Sequence, residues 1–244
     1  MTTTGTSTFN LDVSELVEEA YERCGAELRS GYNMKTARRS LNLITIEWAN
    51  QGINMWTIEE GSLPVYTGTV SYDLPVNTVD LLDHVIRTGT GTGQTDLNIT
   101  RISESTYSTI PNKLATGRPI QVWVNRRSGA TYPDGITTIV KAPQINIWPS
   151  PDQGSLATPY YTFVYWRMRR IQDAGNGINT QDIPFRFLNA LVAGLAYYLS
   201  IKIPGVDPNR ITMLKQDYQE QFTLAAQEDR ETASSRFVPR VWAV

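Results

Sequence analysis

The side chains able to do acid-base or nucleophilic work are few: one histidine, His84, and one cysteine, Cys24. A hydrolase triad sets a base such as His beside its nucleophile, so this pair would have to supply both roles. His84 sits in Leu81-Leu82-Asp83-His84-Val85-Ile86, a strand-like run in which a packed or edge histidine is the simpler account. Cys24 falls on the apolar stripe of a helix, where a thiol is a small core residue. One His and one Cys make no metal site without carboxylates. The acidic pairs Glu18-Glu19, Glu59-Glu60 and Asp80 with Asp83 lack a ligand loop and read as solvated surface. Gly89, Gly91 and Gly93 resemble a phosphate cradle, but they run into Gln94-Thr95-Asp96 with no helix behind them, so a flexible hairpin loop is expected. Arg126-Arg127 and Arg169-Arg170 close two strands, where solvated strand ends are the default and an acidic neighbour or a phosphate the alternative. The residues thus predict no catalytic site, no metal site and no cofactor, and the chain is expected not to be an enzyme.

Composition narrows the remaining classes. The chain has 244 residues, 41% of them hydrophobic, enough for one substantial core or two small ones. Its formal net charge is −2, and Lys and Arg are spread along its length, which argues against sequence-reading nucleic-acid binding. A lone cysteine excludes an internal disulfide framework and fits folding in a reducing cytosol. Met1 to Thr8 lacks the charged and apolar regions of a secretion signal, so residues 1–10 are expected to be a flexible arm. Phe185 to Ile203 is the most apolar run, but it contains Arg186 and Asn189 and falls short of about 20 clean apolar residues, so it is read as a buried core helix and no membrane role is expected.

The elements that would position these residues follow from periodicity. Asp12 with Glu15 is a capping box, and Val13, Leu16, Val17, Ala20 and Cys24 recur at helical spacing until Gly25. Asn33 reads as the cap of a second helix with the stripe Met34, Ala37, Leu41, Ile44 and Trp48, and the short connection makes the two an antiparallel pair. From Trp56 the period shortens to that of strands, which are expected through Ile58, Leu63–Val65 and Val70–Leu74, then at 82–88, 120–125, 137–141, 144–148 and 160–169, with a single helical turn at 103–109. After the polar linker 172–180, Asp182 and Pro184 are read as opening a central helix rich in Ala and Gly. Asp207 and Pro208 open a last one with the stripe Ile211, Leu214, Tyr218, Phe222 and Ala225. The expected fold is α+β: an antiparallel helical bundle (11–55 and 171–233) with an inserted antiparallel β-sandwich-like domain (56–170) and an extended C-terminal tail (234–244).

That tail is anomalous. Polar composition is what keeps a disordered segment soluble, yet this one contains Phe237, Val238, Pro239, Arg240, Val241 and Trp242. Pro239 forbids a regular helix, so the bulky side chains need either a partner groove or a place on the chain's own surface.

Several stretches resemble the head-to-tail adaptor proteins of short-tailed bacteriophages, also described as tail tubular protein A or as head completion and packaged-DNA stabilisation proteins. They are Ala37 to Trp56, Tyr72-Asp73-Leu74-Pro75, Ile147 to Asp152 and Ala190 to Lys202, and the likeness extends over most of the chain from Leu11 to Thr232. The resemblance implies a structural virion protein made in the host cytoplasm. Twelve copies would form a ring between the portal protein and the tail nozzle protein, with tail fibres as a further partner and genomic DNA passing through the lumen. It also implies that the C-terminal segment docks on the portal, which would make Phe237, Val238, Pro239, Arg240, Val241 and Trp242 the docking residues. The competing class is a carbohydrate-binding or tail-fibre-type interaction module, suggested by six Trp and twelve Tyr, many in the β-rich middle. A wall-degrading hydrolase would need a carboxylate pair in a cleft.

Overall fold

The computed structural model describes residues 3–28, 31–53, 55–127, 131–133 and 138–229. It divides into two compact units, Met1–Trp56 with Ile171–Val244, and Thr57–Arg170. The helices are α1 (Val13–Cys24), α2 (Gly31–Asn50), α3 (Glu104–Ser108), α4 (Leu188–Ser200) and α5 (Pro208–Glu228). All but α3 belong to the first unit.

Helix α1 starts where its capping box places it. The Asp12 carboxylate accepts from the Glu15 N–H at 2.8 Å, and the Glu15 carboxylate accepts from the Asp12 N–H at 3.1 Å. The polar linker completes this end, because the Val13 and Ser14 N–H groups donate to the carbonyls of Asn179 and Gly177. At the other end Gly25 adopts φ +73°, the left-handed conformation that closes a helix and that glycine adopts without strain. Asp207 caps α5 and accepts from the Asn209 N–H at 3.1 Å. Two expected caps are not caps. Asn33 lies inside α2, which begins at Gly31. A 3₁₀ turn, Phe185–Phe187, separates Asp182 from α4, and the Asp182 carboxylate accepts from the Gln172 N–H instead.

The helices do not form the expected antiparallel bundle, and this part of the fold assignment is corrected. Ten of the thirteen α4 residues are buried. A helix apolar around most of its circumference needs cover on several sides. Helices α1, α2 and α5 accordingly pack chiefly on α4, while α1 and α2 touch each other sparingly. The result is a central helix with three others laid against it, not four helices sharing one seam. Trp48 is wholly buried in this core between Phe187 and Phe222, and its indole N–H donates to the Tyr218 hydroxyl at 3.0 Å.

Among the described residues the strands of the second unit are β1 (Ile58–Val65), β2 (Ser71–Asp73), β3 (Thr78–Thr88), β4 (Thr95–Asn98), β5 (Thr100–Ile102), β6 (Thr116–Gly117), β7 (Gln121–Asn125), β8 (Thr131–Pro133), β9 (Thr138–Val140), β10 (Gln144–Trp148), β11 (Ser150–Pro151) and β12 (Tyr161–Arg169). One four-stranded sheet runs β1-β12-β3-β4, all antiparallel; the other runs β2-β10-β7-β5. Residues of both sheets share one core, among them Phe163 and Ile86 from the first and Val122, Ile145 and Ile147 from the second. The expectation of purely antiparallel pairing is also corrected, since β5 pairs parallel with β7, and β11 with β6. The β5–β7 connection spans residues 103–120 and includes α3, long enough for the crossover that a parallel pair requires. Ion pairs brace the first sheet: Glu59 accepts from Arg167 at 2.8 Å and from Arg169 at 2.6 Å.

Candidate docking surface

The side chains that might have done chemistry are committed to structure. Cys24 is 3% exposed, and its thiol donates to the Ala196 carbonyl at 3.1 Å. Burial pushes its pKa up to about 11, the opposite of what a nucleophilic thiolate requires. His84 lies on β3 in the other unit and stacks on Phe163 with ring centroids 5.8 Å apart. Among the described residues neither of its buried nitrogens has a hydrogen-bond partner, and burial lowers its pKa. Cys24 thus spends its donor on a backbone carbonyl of its own unit, and His84 is held by ring stacking within its own.

The other sequence candidates are also accounted for. Asp80 pairs with Arg101 at 2.8 Å and Arg126 at 3.3 Å, Arg127 donates to Gln144, and Arg169 holds Glu59. Arg126, Arg127 and Arg169 thus meet acidic or amide neighbours. Gly89, Gly91 and Gly93 lie in the β3–β4 hairpin, where Thr88 pairs with Thr95. Among the aromatic residues of the β unit, Trp123 stacks on Tyr107 at 5.1 Å, and the Trp148 indole donates to the Asn112 carbonyl. Among the described residues no helix is long and apolar enough to cross a membrane. The tail residues Phe237, Val238, Pro239, Arg240, Val241 and Trp242 lie outside the described residues.

A groove of about 890 Å³ lies on the helical unit, and sequence reading missed it. Leu188 and Val192 of α4 form its floor. Phe9 and Phe185 stand on its walls 76% and 80% exposed, among the most exposed large apolar side chains of the unit. Glu15, Glu18, Glu19 and Glu22 line the α1 side. The signal was present in two places: a phenylalanine inside a Thr/Ser arm, and glutamates at helical spacing next to the buried stripe of α1. Arg23 also reaches the groove, but its charge is engaged by Glu19 at 3.0 Å and Asp217 at 3.5 Å. The surface left over is apolar and anionic, suited to a segment that alternates bulky apolar and basic side chains.

Comparison with curated proteins returns no match. The family described as SU10 adaptor protein matches residues 12–240, which takes in the described helices of the first unit and the whole β unit. That span is nearly the full chain, and the protein is on this ground a phage structural adaptor and a virion component. The chain belongs to the SU10 adaptor protein family, a family of phage head–tail adaptors.

Proposed function

We propose that the chain is a non-catalytic ring subunit, twelve copies of which join the portal protein to the tail nozzle and retain packaged DNA while leaving it a path out. The family match over residues 12–240 carries this reading. Electrostatics is compatible with it. A ring on the DNA path must not grip the duplex through many phosphate contacts, and a net charge of −2 with Lys and Arg dispersed along the sequence is compatible with that. Binding energy is then invested in protein neighbours.

In this reading Phe237, Val238, Pro239, Arg240, Val241 and Trp242 form the portal-docking element, with Phe237 and Trp242 as anchors. Large aromatic anchors dominate such contacts. Electron microscopy of the protein mixed with portal tests the ring: a twelve-fold collar at the portal exit is expected, and no complex, or a complex of another symmetry, overturns it. Trp242→Ala should weaken portal capture by about 2 kcal/mol, roughly 30-fold. Unchanged capture would remove the tail from the docking role.

A further inference from the structure

The groove on the helical unit has its apolar walls uncovered, and the chain itself contains a segment that fits it. Helix α5 ends at Glu228, and the next residue, Asp229, is ion-paired to Arg186, the neighbour of the groove-lining Phe185. The chain therefore leaves the described structure at the edge of the groove. Phe237 lies eight residues beyond Asp229. At about 3.3 Å per extended residue it reaches up to about 26 Å, while the α1 side from Glu15 to Glu22 is only about 10 Å long at 1.5 Å per helical residue.

Charge selects the same segment. Arg236 and Arg240 bracket Phe237-Val238-Pro239, with Val241 and Trp242 after them. Along α1, Glu18 and Glu22 have no partner among the described residues and are exposed. In an extended run Phe237, Pro239 and Val241 share one face, which can lie between Phe9 and Phe185, while Arg236 and Arg240 share the other and face those glutamates.

We propose that residues 236–242 occupy this groove of their own chain until a partner takes them. The groove is then a storage site that shields Phe237 and Val241 from water in the free protein, and a partner that captures the tail uncovers an apolar, anionic face on the helical unit. The inference goes beyond the ring reading and does not depend on it.

The test uses the full chain without portal. A photo-cross-linking benzoylphenylalanine replaces Ala243, leaving both anchors in place, and the cross-linked peptides are mapped by mass spectrometry. Adducts within residues 9–23 or 185–192, at the mass of a single chain, are expected. Glu18→Lys with Glu22→Lys should cut their yield at least about fivefold, as two exposed ion pairs allow, and adding Arg236→Glu with Arg240→Glu should restore it. Phe185→Ser, at a side chain 80% exposed, is a second variant that lowers the yield without disturbing the core. Adducts elsewhere, a yield indifferent to these substitutions, or a product of twice the chain mass would each overturn the proposal, the last by giving the groove to a neighbouring copy. Because portal is absent, failure here leaves the ring reading standing, and failure of the ring leaves the groove intact.

Discussion

Burial decides what His84 contributes. A charge placed on its ring would sit among apolar side chains with no hydrogen-bond acceptor, so burial, reinforced by the positive charge of Arg101 and opposed by Asp83, lowers its pKa from the usual 6.5. The unfolded chain takes up a proton near pH 6.5, and the folded chain only at lower pH. The stability associated with a neutral His84 is thus complete above that pH and is lost as pH falls through the folded value. His84→Phe keeps the stack on Phe163 and removes two unsatisfied nitrogens, so it should be neutral or stabilise by up to about 1 kcal/mol at pH 7.5. It should also flatten the decline between pH 7.5 and 5.5 in urea titrations; an unchanged slope would mean that other groups govern that window. If the residue has no chemical role, the same variant assembles normally.

Between elements, a close approach tied to a sequence choice is that of α4 to α5 at Gly194. A Cβ there would meet the Tyr218 ring at 2.8 and 3.0 Å, and the ring has little room to yield because its hydroxyl accepts from buried Trp48. Gly194→Ala should therefore destabilise by about 1–2 kcal/mol despite the roughly 1 kcal/mol that alanine gains in a helix interior. In a Tyr218→Leu background the clash goes and the same substitution should become neutral or favourable, a coupling that a double-mutant cycle in urea measures. Additive effects would show that the glycine is not there for Tyr218. Much at this scale was legible in sequence. The stripes of α1, α2 and α5 are buried at Leu16, Leu41 and Tyr218 as their spacing implies, and Asp12 and Asp207 cap where residue type placed them. Strands β4 and β5 were not legible, since the chain passes from one sheet to the other around buried Ile99 and neither piece is long enough to show an alternation. Nor was the arrangement around α4. A helix buried on most sides carries little periodic signal about which neighbours cover it.

At the scale of the whole molecule, assembly depends on what the surfaces outside the two cores can do. Most of the outward positions of α5 are polar, among them Lys215, Gln216, Gln219 and Glu220, and a ring contact built from such residues is worth little without a template. Exposed large apolar side chains are spread from Leu43 and Ile46 on α2 to Met213 and Leu224 on α5, with Phe9 and Phe185 of the groove among the most exposed; the tail's composition was legible in sequence, the groove was not. Phe185 is far in sequence from Phe9 and the α1 glutamates and meets them only once α1 and α4 have packed. If the tail occupies the groove in the free chain, the strongest adhesive surfaces are withdrawn at the same time. Sedimentation velocity at micromolar concentration should then show a single species of about 27.4 kDa, with ring-sized material only when portal is added. A stable twelve-subunit species without portal would show that subunit contacts suffice and that no template is required. With Phe185→Ser and the glutamate reversals the free chain should expose its tail, so these variants should bind portal faster than the parent chain while sedimenting alone as monomers. Slower capture would mean that the groove itself, not the tail it shelters, is what the portal recognises.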